Sequence, residues 1–89
     1  MYRVELASRA QRELKRVPES DRERIAAAVA SLAEEPRPSG SVKLKGSLYR
    51  LRIGPYRVIY AVSDREELVV ALKIARREKD TYARLGDLF

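Results

Sequence analysis

Arg50, Arg52 and Arg57 fall within the stretch LYRLRIGPYRVIY at residues 48–60. A guanidinium can grip a phosphate or a carboxylate with two parallel N–H···O bonds, and it keeps its charge at any physiological pH. Whether the three act together depends on the Gly54-Pro55 pair between them. Proline holds φ near about −65° and so fits neither central position of a type I′ turn, whereas glycine first and proline second suits type II′. The resulting two-residue loop sets Ile53 against Tyr56, Arg52 against Arg57, Leu51 against Val58, Arg50 against Ile59 and Tyr49 against Tyr60. Paired residues share a side of a sheet and sides alternate along each strand, so the three arginines project together. Tyr49, Leu51, Ile53, Tyr56, Val58, Tyr60 and Val62 project the other way, as a core face that needs a cover. Arg52 opposite Arg57 costs a few tenths to ~1 kcal/mol relative to a neutral pair, so stability does not account for the arrangement. An anion-binding groove with a partly apolar floor of Leu48, Ile59 and Ala61 does.

The charge distribution agrees. The chain carries a net +6, yet residues 1–41 hold eight basic and seven acidic side chains. Between Glu35 and Asp64 there is no acid, while Arg37, Lys43, Lys45, Arg50, Arg52 and Arg57 supply six positive charges, which equals the whole imbalance. Such a stripe favours a polyanion, nucleic acid or an acidic protein segment.

Absent residue types narrow the chemistry. There is no cysteine and no histidine, which removes disulfides, thiol catalysis, the common metal ligands and the usual near-neutral acid/base group. What remains is Arg, Lys, Tyr, Ser and carboxylates. No apolar run is long enough to cross a bilayer and none resembles a signal peptide, so a cytoplasmic location without membrane contact is expected.

The elements that must position the arginines can be read along the chain. YRVELA at 2–7 alternates, with Tyr2, Val4 and Leu6 on one side, and predicts a strand. Ser8 stands where an N-cap belongs, and Ala10, Leu14 and Val17 recur at helical spacing until Pro18. A second helix is expected from Ser20 as N-cap, with Asp21 and Glu23 in its first turn and an apolar stripe of Ile25, Ala28, Val29 and Leu32. The two would form a helical hairpin. PRPSGS at 36–41 is a connection, followed by VKLK and by strands at Leu48–Ile53, Tyr56–Ser63 and Glu67 to about Ile74. The expectation is one α+β domain over 1–89: an N-terminal strand, a helical hairpin on one face of an antiparallel sheet, a strand meander and a short C-terminal helix or tail bearing Tyr82, Leu85 and Phe89. In the last strand, ELVVALKIA is apolar on both faces; Leu68, Val70, Leu72 and Ile74 are assigned to the helix side and Lys73, Ala75 and Arg77 to the arginine side.

This layout resembles the RelE/ParE superfamily of small bacterial and archaeal toxins, closest to its RelE-type mRNA interferases. The likeness is carried by YRVELASRAQRELKRV, VKLKG, LYRLRIGPYRVIYAV and LKIARREKDTY, and spans nearly the full chain. It implies a toxin of a type II toxin–antitoxin system that cleaves mRNA in the ribosomal A site, using the RNA 2′-hydroxyl as nucleophile, with no cofactor or metal. It implies as partners a cognate RelB-like antitoxin, mRNA with the small ribosomal subunit, and operator DNA indirectly through the antitoxin complex.

By position, the resemblance makes Arg50 and Arg52 the basic pair of the groove strand, Arg57 the transition-state arginine, Arg77 or Arg76 the later groove arginine, and Tyr82 the tyrosine that stacks on a base. Lys43, Lys45 and Lys73 are further RNA-binding candidates and the candidates for proton transfer. The chain departs from the family there, because many members carry histidine where Ala75 stands, others use a groove-strand lysine, and arginine is a poor general base. Two alternatives stay open: a ParE-like protein that binds DNA gyrase, and a member that binds antitoxin and operator DNA without cutting.

Overall fold

The computed structural model describes residues 1–76. In order it contains β1 (Arg3–Leu6), α1 (Ser8–Lys15), α2 (Glu19–Ser31), β2 (Ser41–Lys45), β3 (Leu48–Ile53), β4 (Tyr56–Ser63) and β5 (Leu68–Arg76). The strands form one sheet in the order β1-β5-β4-β3-β2. β2 to β5 make an antiparallel meander, and β1 joins its far edge parallel to β5, which makes the sheet mixed. The path from β1 to β2 therefore crosses the whole sheet, and α1 and α2 span that crossing on one face.

Both helices end where their chemistry dictates, though not where serine caps were expected. Ala7, not Ser8, occupies the N-cap of α1, and it makes no side-chain cap bond. The reason is continuity with the strand: Ala7 N–H donates to Ala71 O at 2.9 Å, so the chain is still pairing with β5 when the helix begins. Pro18, not Ser20, occupies the N-cap of α2, with Glu19 and Asp21 supplying negative charge to its first turn. Arg22 of α2 reaches back to donate to Lys15 O and Val17 O, satisfying carbonyls that α1 leaves open at its end.

The core lies between the helices and the sheet. Ala10, Val17, Ile25, Val29 and Leu32 pack against Tyr49, Ile53, Tyr56, Val58, Tyr60, Val62, Val69, Ala71 and Ile74. The expected core face of the β3–β4 hairpin is present, with Leu51 half-buried against it.

The reading of β5 needs correction. Val69 and Ala71 face the helices, opposite Val62 and Tyr60, while Leu68 and Val70 lie on the other face opposite Ser63 and Ala61. A β-bulge then skips Leu72, and past it Ile74 faces the helices and Lys73 and Ala75 face away. One extra residue shifts the alternation by one, so the expected sides hold after the bulge and fail before it.

One end of the sheet is tied by a polar cluster. Arg37 forms a two-pronged pair with Asp64, with both N–H···O bonds at 3.0 Å, and its Nε donates to the Tyr49 hydroxyl at 2.8 Å. Tyr2 donates to the same carboxylate at 2.6 Å, and Tyr60 donates to Pro36 O at 2.8 Å. Tyr49 and Tyr60 stack with ring centroids 5.8 Å apart, and the Arg37 guanidinium lies 5.2 Å from the Tyr49 centroid. The connection after α2 is thereby fastened to β3, to β1 and to the β4–β5 turn. No helix among the described residues is long and apolar enough to cross a membrane.

Candidate phosphate-binding face

The arginine face starts from a turn. Gly54 has φ +57°, as the first central position of a type II′ turn requires, and a Cβ there would collide with the Arg24 guanidinium of α2. The register that follows is the expected one at every pair: Arg52↔Arg57, Leu51↔Val58, Arg50↔Ile59, Tyr49↔Tyr60. Arg50, Arg52 and Arg57 thus share the side away from the helices.

Rows across the sheet show their neighbours. One runs Val42, Arg50, Ile59, Lys73; the next runs Arg52, Arg57, Ala75. Lys73 is therefore on this face, two strands from Arg50 across Ile59. Lys45 joins it as well, because a bulge in β2 between Lys43 and Lys45 sets Lys45 rather than Leu44 opposite Leu48. Two bulges on the strands flanking the hairpin each substitute a lysine for a leucine on the arginine side. The remaining candidates do not gather there: Lys43 pairs with Tyr49 and Arg76 with Tyr56, on the helix side. Arg77 and Tyr82 lie outside the described residues.

Electrostatics separate Arg37 from the other cations of the stripe. Arg37 is committed to Asp64 and Tyr49, which raise its pKa further above its ordinary value, in that order of importance. Among the described residues, ion pairs also hold Arg3 to Glu5, Arg9 to Glu13 and Arg24 to Asp21, but none involves Arg50, Arg52 or Arg57. Glu5 shares the arginine face at its far edge, through Val70, and is taken by Arg3 at 2.9 Å. Arg52 is exposed, Arg57 and Arg50 half-buried. The Nε of Arg50 is buried with no hydrogen-bond partner. Leaving a buried donor unpaired costs about 1–3 kcal/mol, more when it is charged. An anion bound beside it would offset part of that cost.

The surface can therefore collect anionic oxygens on three guanidiniums beside a small apolar floor. Sequence reasoning found the arginines because the Gly-Pro turn restricts the register. It missed the withdrawal of Arg37 from the stripe, which depends on a carboxylate far along the chain, and the orphaned nitrogen of Arg50, whose signal is the isoleucine directly opposite.

Residues 4–81 match the family described as ParE toxin of type II toxin–antitoxin system, parDE. The chain belongs to the RelE/ParE toxin superfamily. RelE1 of Methanocaldococcus jannaschii, named as a toxin, is 34% identical over 82 residues, covering 86% of this chain and 91% of that protein. The archaeal RelE–RelB complex from Pyrococcus horikoshii OT3 contains a chain that superposes with a TM-score of 0.81 at 32% identity, covering 88% of this chain and 97% of that one. The isolated E. coli RelE toxin superposes with a TM-score of 0.78 over 97% of this chain and 96% of its own, at 20% identity, and shows the same fold. This RelE/ParE member is a toxin of a RelBE-type toxin–antitoxin system.

Proposed function

We propose that this toxin is a ribosome-dependent endoribonuclease that cuts mRNA in the decoding site, acts in the cytoplasm and is silenced by a RelB-like antitoxin lying over the arginine face. One observation carries the reading: Arg50, Arg52 and Arg57 stand together on the side of the sheet away from α1 and α2, and among the described residues no carboxylate pairs with any of them. An antitoxin with acidic side chains would supply the missing counter-charges. The RelE–RelB complex from Pyrococcus horikoshii supports a partner of that kind. Operator DNA would be reached through the antitoxin.

In the proposed reaction the RNA 2′-hydroxyl attacks the adjacent phosphorus, the bond from phosphorus to the 5′-oxygen breaks, that oxygen takes up a proton and leaves as a 5′-hydroxyl, and a 2′,3′-cyclic phosphate remains. Negative charge grows on the non-bridging oxygens as the new bond forms. Arg50 and Arg57 would stabilise it with fixed donors that need no reorganisation. Arg52, at the tip of the hairpin, would hold a neighbouring phosphate, with Lys45 on the flank. Tyr82 would stack on a splayed base and Arg77 would add a late contact. The 2′-hydroxyl proton needs an acceptor other than arginine. Of the three lysine candidates, Lys73 is the one in register with Arg50, across Ile59. Its replacement by methionine should abolish cutting while leaving ribosome binding.

The family description itself, a ParE toxin, favours a second reading in which the target is DNA gyrase. Toeprinting of translating ribosomes with the purified protein, alongside a gyrase supercoiling assay, separates the two. An A-site cut with undisturbed supercoiling supports the ribonuclease; inhibited supercoiling without a cut replaces it with the gyrase reading. Binding of antitoxin and operator DNA with neither effect identifies a member that does not cut.

A further inference from the structure

Ile59 is 5% exposed, yet it does not belong to the cluster that the helices cover. It is the one residue of β4 buried on the arginine side, where its strand neighbours Arg57 and Ala61 are only half-buried. Its cross-strand partners are Arg50 on one side and Lys73 on the other. Directly opposed residues hold their Cβ atoms about 4.5–5.5 Å apart, so the long arms of both cations rise immediately beside the isoleucine. The bulge at Leu72 completes the arrangement: with regular alternation Leu72 would face Ile59, and Lys73 would turn toward the helices. The second mark of confinement is at Arg50, whose Nε is shut away from solvent without a partner.

We propose that Ile59 is a positioning residue of the arginine face: a β-branched pedestal that fixes the arm of Arg50, and on its other flank that of Lys73, so that both present their charged ends at a defined height. A β-branched side chain has little rotameric freedom of its own, so it transmits a fixed shape to the arms beside it. Ile59 lies outside the cluster that the helices cover and takes no direct part in the proposed reaction. Its effect is to keep two flexible cations from spreading over the sheet, which matters most where phosphate oxygens must be met at hydrogen-bond distance. The kinetic part of this inference rests on the ribonuclease reading; the confinement of Arg50 does not.

Two measurements on the full chain test it. The first is the Nε–Hε resonance of Arg50 in nitrogen-edited NMR, assigned by its disappearance in Arg50→Lys. It should exchange slowly with water in the wild type, at least about tenfold faster in Ile59→Ala, and slowly again in Ile59→Val. The control is Val58→Ala, the neighbouring core residue at 0% exposure: it should lower the unfolding midpoint and leave the Arg50 resonance slow. An Arg50 signal unchanged in Ile59→Ala, or accelerated equally in Val58→Ala, overturns the proposal. If Ile59→Ala does not fold, Ile59→Leu, which keeps the apolar volume but loses the branch at Cβ, is read in its place. The second is cleavage of ribosome-bound mRNA, where Ile59→Ala should lower kcat about 10- to 100-fold with a smaller change in KM and Ile59→Val should restore it. A wild-type chain that cuts nothing refutes the ribonuclease reading and leaves the exchange result to decide on the pedestal.

Discussion

Arg52 and Arg57 oppose each other on neighbouring strands, and each would be better accommodated, on stability alone, by an uncharged neighbour. Arg52→Thr should therefore raise the unfolding midpoint by the equivalent of a few tenths to ~1 kcal/mol while weakening RNA binding, as thermal melts and filter binding on the same samples would show. Arg57→Ala should instead reduce cleavage by about 10²–10³-fold, the usual loss when one fixed donor to a developing oxyanion is removed. A variant that gains stability and keeps full activity would show that the pair is ordinary surface. Asp64 is the counterpart at the opposite end of the sheet. Arg37 first, then Tyr2, holds its carboxyl below the ordinary aspartate value of 3.8. The clasp thus adds stability that is complete above that value and fades as pH falls through the lower pKa of the folded chain. The difference in unfolding midpoint between wild type and Asp64→Asn should be constant from neutral pH to about 4 and shrink below it. A difference that persists unchanged into stronger acid would mean the aspartate acts by packing rather than by charge.

The β3–β4 hairpin was legible residue by residue because Gly54-Pro55 admits one tight turn, and one turn admits one register. The same glycine offers a direct test at this scale. Gly54→Ala forces a Cβ into the Arg24 guanidinium and leaves alanine at φ +57°, so destabilisation of at least about 1–2 kcal/mol is expected in denaturant melts. β5 was legible only in part. Its run of apolar residues on both faces contains no alternation to mark where a bulge falls, so the side of Leu68, Val70 and Leu72 could not be deduced, whereas Lys73 and Ile74 came out on their observed sides. The helix caps were misplaced because serine is a good cap only when its strand has finished pairing, and Ala7 is still bonded to β5. Nothing local announces that bond. The partnership of β1 with β5 was likewise hidden, since it joins opposite ends of the described chain.

At the scale of the molecule, the sheet divides the labour between two surfaces. One is sealed by α1 and α2 and holds the apolar residues; the other carries cations on strands whose backbone geometry is fixed by that seal. Binding to single-stranded RNA should then behave as a contact with few phosphates. With three to four cations engaged, the logarithm of the affinity should fall with the logarithm of salt concentration at a slope of about −2 to −3. Replacing any one of Arg50, Arg52 and Arg57 by alanine should flatten the slope by about 0.7. A slope unaffected by all three substitutions would move the polyanion contact elsewhere on the surface.

The parallel pairing of Val4 with Val69 and Leu6 with Ala71 also fixes an order of events during synthesis. β1 has no mate until β5 has been made, whereas the arginine hairpin can close on itself through local contacts before then. A partly made chain thus has its charged ribbon early and its rigid backing late. The toxin gains a firm arginine surface only once β5 pairs with β1, a contact of long sequence separation and therefore slow to form.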